Sequence, residues 1–571
     1  MTAVRRLISI ACLALAAATL SAQQTQTTTQ STTATTSVPR ATAPVTADTD
    51  KDVNDPRALR LSLDDAVRTS IKQNLGIELQ RYDFSESGER LVAQWGIFDP
   101  LVSGKLAASH TDNAVTSSLE GSSKGATDAS VNWSQNLPTG GNYSIEWGNE
   151  RFTRGGGFGT ALTPGYSSGL SFDATQPLAR NFGVDITKRN INIARNTLGI
   201  NRELFRTALI DTSNNVEQAY LDLVYTRQFV DVVKESLFLA RDQSRITQIR
   251  IDVGASAPLD ILQPRVQIAT SEEALIAAVA NVRDAEDRLR ALMNLPPAEW
   301  DRPIIPTDTV SYTPITIDTE SSIARAYELR PEIRENHLAI DSARIGYLYA
   351  RNQVLPQVDA VVGYNVAGVA GRTIDLATGQ PVATVDQTKF GTALKQLFRQ
   401  DFPGWNVGLN FGIPVFNTTA RAEARRTKLD YDRSKLLETQ TRQNVAVEVR
   451  QTARATDTTA KEIVASRAAR EAAEQNLDAE RKRYENGMTT NFQVLQVQQQ
   501  LSDARAREIQ STVAYNKSVV AYHRAVGDLL DVLNIRVEEP EPIQEPAFFS
   551  RYDRYNWLNY QNQVDREDKK Q

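Results

Sequence analysis

The stretch "WNVGLNFGIPVFN", Trp405 to Asn417, decides how this chain is read. Trp405, Val407, Leu409, Phe411 and Ile413 alternate with Asn406, Gly408, Asn410 and Gly412, and Pro414 closes the run. Period two marks a strand with one apolar face and one small or polar face. The apolar face has two possible settings: a protein core, or lipid, with the opposite face lining water.

Working outward, the chain repeats itself. "AVRTSIKQNLGIELQ" (Ala66–Gln80) falls on "SIARAYELRPEIREN" (Ser322–Asn336), so that Ile77 meets Ile333 and Pro100 meets Pro356. "SSGLSFDATQPLARNFG" (Ser167–Gly183) pairs with the opening stretch, Pro177 on Pro414. "VGASAPLDILQ" (Val253–Gln263) pairs with "NGMTTNFQVLQ" (Asn486–Gln496), Gly254 on Gly487 and Leu262 on Leu495. Four matches in one order mean a duplication, and each half runs helix, proline, strands, proline, very long helix, glycine turn, helix. The long segments, Asp185 to Asp252 and Thr418 to Asn486, contain no proline. At 1.5 Å per residue each would reach roughly 100 Å. Leu204, Ala208, Ile210, Val216, Tyr220 and Leu223 follow the three-and-four spacing of helices that pack along their length.

Further alternating runs lie between the helices. In half two, Val358, Ala360, Val362, Tyr364 and Val366 form one, and a loop of some 40 residues leads from it to Trp405. Half one has Val102, Gly104, Leu106 and Ala108, then Leu170, Phe172 and Ala174. Between them stand Ala129-x-Val131-x-Trp133 and Tyr143-x-Ile145-x-Trp147, joined by Pro138-Thr139-Gly140-Gly141. Runs of about 10 residues suffice to cross a bilayer as tilted strands. Isolated hairpins this apolar would be unstable, whereas several chains closing one barrel leave no edge. Pro100, Pro177, Pro356 and Pro414 sit where helix meets strand, where a fixed φ and a missing N–H suit a break between two hydrogen-bonding patterns.

The chain has 571 residues, with 64 Lys+Arg against 69 Asp+Glu, and so no basic footprint for nucleic acid. Met1 to Ala22 has the form of a secretory signal: Arg5 and Arg6, an apolar stretch from Leu7 to Leu20, and Leu20-Ser21-Ala22. Its removal would take the net charge from −5 to −7 and would remove the one cysteine, Cys12. Leu13 to Leu20 continues the apolar stretch past Cys12, which argues against lipidation there. Residues 23–54 are Thr-, Gln- and Ser-rich and are expected to be disordered. Beyond Ala22 no apolar run reaches the roughly 20 residues of a membrane helix, so a membrane passage has to be a closed barrel. The expected divisions are residues 55–317 and 318–536 for the two repeats and 537–571 for a tail, which is aromatic at Phe548–Gln561.

Signal segment, duplicated halves and junction prolines together resemble the TolC family of outer-membrane efflux channels, most closely in "GLNFGIPVFNTTARAEARRTKLDY" and "ERKRYENGMTTNFQVLQVQQQLSDAR". The resemblance covers roughly Leu61 to Ile535. It implies a mixed, mainly α fold: a homotrimeric β-barrel in the bacterial outer membrane that continues as a long α-helical barrel into the periplasm. It implies a passive exit duct for efflux or type I secretion, docked on a periplasmic adaptor (membrane fusion) protein and an inner-membrane pump or secretion transporter. Gly254, Ala255 and Ser256, with Gly487, Met488, Thr489 and Thr490, would then form the adaptor-contact tips. Ser256, Thr489, Thr490 or Asn491 would cap the following helix. Acidic residues often constrict the aperture in this family. Here Asp260 and Gln263 in half one, with Tyr484, Gln493 and Gln496 in half two, point to a gate of amides and aromatics, with Tyr484 bonded to Asp260. Trp405, Val407, Leu409, Phe411 and Ile413 would face lipid. The common plan, two strands per half and twelve in the trimer, is the expected one. The Trp133/Tyr143 hairpin would either add two strands with its turn toward the periplasm or extend outside the cell.

An enzyme finds little support. His110, His337 and His523 are scattered, with no second ligand at metal spacing, and no nucleophile motif or P-loop appears. No cofactor is implied. The rival from another class is a periplasmic coiled-coil adaptor or structural protein without a membrane barrel. The duplication and the alternating strands favour the channel.

Overall fold

Half one begins with β1 (Leu59–Leu61), α1 (Leu63–Gln73) and α2 (Leu75–Trp95). Ser62 caps α1 by accepting the Asp65 N–H, and Asn74 caps α2 by accepting from Gly76 and Ile77. Four strands follow: β2 (Leu101–Asp112), β3 (Ser123–Asn136), β4 (Asn142–Gly155) and β5 (Gly165–Pro177). Then come α3 (Arg189–Asp252), α4 (Leu262–Met293) and β6 (Ile304–Pro306). Half two repeats the order with α5 (Thr319–Leu329), α6 (Pro331–Asn352), β7 (Gln357–Gly371), α7 (Phe390–Arg399), β8 (Phe402–Gly412), α8 (Thr418–Glu485) and α9 (Asn491–Val526). The computed structural model describes residues 55–112, 114, 123–155, 164–371, 373–374, 381–382 and 389–535. The signal segment, residues 23–54, Gly156–Gly159 and the aromatic tail lie outside them.

α3 has 64 residues and α8 has 68, close to the expected lengths. Buried residues on α3, at Val216, Tyr220, Leu223, Val230, Val233 and Leu237, alternate steps of three, four and seven. They meet Leu275, Ala278, Val282 and Leu289 of α4 in one core. This is the spacing that locks two helices side by side along their whole length. α8 and α9 pair likewise, with Leu477 against Val497 and Leu501. β1 and β6 form a small parallel pair, Leu59 opposite Ile304. Tyr220 donates to the Leu61 carbonyl at 3.1 Å and to Asp308 at 2.8 Å, which ties the inter-repeat segment to α3.

All six long strands form one antiparallel sheet in the order β8-β7-β5-β4-β3-β2. This corrects the expected two strands per half: half one contributes four. The Trp133/Tyr143 hairpin pairs through its full length, and its turn docks on the helical side. Gly183 donates to the Thr139 carbonyl, and Asn136 donates to that of Ile97. At Gly140, φ is +93° and a Cβ would stand 2.2 Å from the Asn181 oxygen, so the contact requires glycine.

The junctions lie where the prolines put them. Pro100 and Pro356 precede β2 and β7, Pro177 ends β5, and Pro414 follows β8. Past each exit an asparagine takes a left-handed conformation, Asn181 at φ +65° and Asn417 at φ +44°, and turns the chain toward its long helix. Ile413 lies just beyond the strand. The expected 40-residue loop contains α7, whose Phe390, Ala393, Leu394, Leu397 and Phe398 follow helical spacing. Among the described residues, no helix is long and apolar enough to cross a membrane.

Candidate functional site

Two regions hold the residues singled out in the sequence: the sheet and the turns at the far ends of the long helices. In the sheet, cross-strand pairing places Val102, Trp133, Ile145, Phe172, Tyr364 and Trp405 in a single row spanning all six strands. The next row holds Val131, Trp147, Leu170, Val366 and Pro403. Toward the helices the same face carries Val407 beside Val362, Leu409 beside Ala360 and Phe411 beside Val358. Trp405 is 78% exposed and Val407 69%. The opposite face shows Ser103, Asn132, Glu146, Ser171, Asn365 and Gly404 in one row, and Asp173, Gly363 and Asn406 in another. The glycines on that face leave room for amides: a Cβ on Gly363 would stand 2.3 Å from the Asn406 side-chain oxygen. The period-two pattern of the opening stretch thus extends across the whole sheet.

At the other end, Gly254 and Gly487 reverse the chain at φ +77° and +71°. Ala255 donates to the Arg250 carbonyl and Met488 to that of Arg483, the same six-residue closure in each half. Thr490 caps α9 by accepting the Gln493 N–H, whereas Thr489 donates to Glu480. Asp260 accepts the Ala257 N–H at 3.1 Å. Ala255, Met488, Asp260, Gln263, Gln493 and Gln496 are exposed, and Ser256 is half-buried. Val253, Leu259 and Phe492 are also exposed there.

Tyr484 does not bond Asp260. Its backbone carbonyl accepts from Arg250 at 2.7 Å, and the Arg250 guanidinium lies 4.5 Å from its ring centroid. A cation above an aromatic face satisfies both groups and leaves Asp260 with its own backbone partner. Arg250 was missed in the sequence, yet the duplication sets it on Arg483, four residues before the glycine in each half. Three further links join the halves here: Gln243 donates to Asn491 at 2.7 Å, Asn491 donates to the Asp260 carbonyl at 3.4 Å, and Gln267 donates to Gln499 at 3.3 Å. Farther along, Arg505 of α9 beside Glu474 of α8 holds that carboxyl below its ordinary range.

Among the described residues, no group of three His, Cys, Asp or Glu side chains is placed to hold a metal ion. His337 pairs with Glu438 and His523 with Asp528. The arrangement is that of a tube wall and its end: an apolar-backed sheet on very long paired helices. The outer membrane efflux protein family matches residues 168–295 and 323–528, more than half of the chain, and the chain belongs to that family. Its place is the outer membrane. The outer membrane efflux protein BepC of Brucella suis biovar 1 (strain 1330) is 23% identical over 211 residues, 35% of this chain. That match spans 45% of the relative's own length. Among solved structures, the CmeC outer membrane channel of Campylobacter jejuni matches with a TM-score of 0.59 at 16% identity, over 85% of this chain and 89% of CmeC. The outer membrane protein VceC of Vibrio cholerae matches with a TM-score of 0.57 at 13% identity, over 84% of this chain and 98% of VceC. These likenesses carry the fold.

Proposed function

We propose that three copies of this chain close a barrel through the outer membrane and form the exit duct of an efflux or type I secretion system. The observation that carries this is the continuous apolar row from Val102 to Trp405, bounded by two strands, β2 and β8, that end the sheet. A sheet with an exposed apolar face and two open edges is stable only when copies join edge to edge and lipid covers the outside. Three six-stranded sheets make eighteen strands. With strands about 4.8 Å apart and tilted about 40°, such a barrel is about 36 Å across, against about 24 Å for twelve strands. The strand of 11 residues from Phe402 to Gly412 spans the apolar thickness when tilted.

The long helices then carry the passage into the periplasm, and the glycine turns face a periplasmic adaptor and its inner-membrane pump or transporter. Exposed Val253, Leu259, Met488 and Phe492 supply apolar contact area at that tip. The link from Arg250 to Tyr484 holds the two hairpins of one protomer together, and its release belongs to opening. The duct is passive, and energy is supplied by the pump.

Conductance in planar bilayers, measured on protein whose oligomeric mass is established in detergent, tests this. Inserting trimers with a mostly closed, water-filled pore support the duct. A soluble, non-inserting protein would instead favour the coiled-coil adaptor or structural role.

A further inference from the structure

The short helix α7 lies against the apolar face of the sheet. A Cβ on Gly368 would stand 2.0 Å from the Ala393 carbonyl oxygen, so the helix backbone rests directly on β7. The Val369 N–H donates to the Gln396 side chain at 2.8 Å, and the Tyr166 and Phe390 rings stand 6.2 Å apart. Gly368, Val366, Ala370 and Tyr166 share the face of Trp405 and Phe172. Val366 and Ala370 are buried there, as are Ala393 and Leu397 of α7. The helix sits at a particular level. Its following residue, Gln400, accepts from the Tyr364 hydroxyl in the aromatic row. Two and three rows farther from the long helices, this face carries polar residues on β4 and β5, with Asn149 beside Ser168 and then Arg151 beside Tyr166. Trp147 donates to the buried Ser168, which donates to Asn149, so the indole N–H and the hydroxyl are both satisfied at this level. On its outer side α7 exposes Lys395 and Arg399, with Phe398 between them at 80% exposure.

We propose that α7 is an interfacial anchor, seated where the outer leaflet's acyl chains meet its headgroups, and that Lys395, Arg399 and Arg151 bind the phosphates of anionic lipid there. This rests on the lipid-facing assignment of the sheet. Continuity with that face selects lipid as the occupant, and the basic residues select an anionic one. An aromatic ring beside Lys and Arg is the composition of helices that lie in a membrane surface. Asp401, 3.7 Å from Arg399, tempers one of the three charges, while Lys395 and Arg151 remain exposed on the same rim.

The mature chain would carry no cysteine, so Phe398→Cys gives one labelling site on the full-length protein, and Leu409→Cys gives a reference inside the apolar band. Each is labelled with a polarity-sensitive fluorophore and reconstituted in phosphatidylcholine vesicles with and without lipid A. The expected result is quenching at both positions by spin-labelled lipid, shielding from iodide, and stronger lipid quenching at position 398 when lipid A is present. Lys395→Glu with Arg399→Glu should abolish the lipid A dependence. Iodide quenching at position 398 with lipid quenching at 409 would overturn the anchor alone. Iodide quenching at both would overturn the membrane assignment itself. Lipid quenching at 398 that ignores charge reversal would overturn the phosphate contact.

Discussion

At Gly487 nothing lies within 4 Å of where a Cβ would stand, so a larger residue is opposed only by the φ of +71°. Gly487→Val is therefore expected to cost about 1–2 kcal/mol at the turn. Heat-resistant trimers should persist while dye efflux falls, because the turn, not the barrel, changes shape. Unchanged efflux would remove the tip from the docking account. In the sheet, Val407→Arg puts a charge in the middle of the apolar face, at about 2–4 kcal/mol, and is expected to abolish heat-resistant trimers in membrane extracts. Glu217, buried in α3, has a carboxyl pushed up to about 7 by burial, partly offset by His523. Below the ordinary carboxylate range, near 4.5, the group is protonated in folded and unfolded chains alike. As pH rises from there toward 7, only the unfolded chain releases the proton, and stability falls by up to about 1.4 kcal/mol per pH unit. Above about 7 the loss is complete. Glu217→Gln should flatten this slope, seen as a smaller drop in Tm between pH 5 and pH 8. A drop equal to that of the parent protein would exclude Glu217 as its source.

Among the elements, the paired tips are where, on the proposed duct reading, the closed state would be held within a protomer. Arg250 spans from the end of α3 to the end of α8 with one charge-assisted hydrogen bond and one cation–aromatic contact, together about 2–4 kcal/mol. Arg250→Ala is expected to leave trimers intact and raise the mean open conductance in planar bilayers. An unchanged closed state would place the constraint between protomers instead. The elements were unevenly legible in the sequence. The long helices were written plainly, because heptad spacing without proline has one reading at that length. The junctions were legible because proline and the repeat point to the same residues. The strand count was not, although Val131, Trp133, Ile145 and Trp147 already showed the alternation. Local period reveals a strand but not which sheet it joins, and the likeness to four-stranded relatives outweighed it. α7 stands inside the long loop, and its spacing of three and four over ten residues makes a weak periodic signal. Arg250 stands four residues before Gly254 and Asp260 six after it, and sequence alone does not choose between them as the partner of Tyr484. Only the packed tips decide between a phenol–carboxylate bond and a guanidinium over the ring.

For the whole molecule, one chain provides a wall and not a vessel. Among the described residues β2 and β8 end the sheet without pairing with each other, and on the proposed reading neighbouring copies would complete those edges. The polar face carries Asp128, Glu146, Glu150, Asp173 and Asp359 against Lys105 and Lys124, so a barrel lined by it is net acidic. On the eighteen-strand reading, the extra hairpin of half one would add two strands per copy to the wall. The most direct test is single-particle imaging of the purified protein in lipid nanodiscs, with strands counted in a section through the bilayer. A three-fold particle whose wall holds eighteen strands, with β3 and β4 among them, is the predicted result. A twelve-stranded wall with the β3–β4 hairpin outside it, or a particle without three-fold symmetry, would contradict the account.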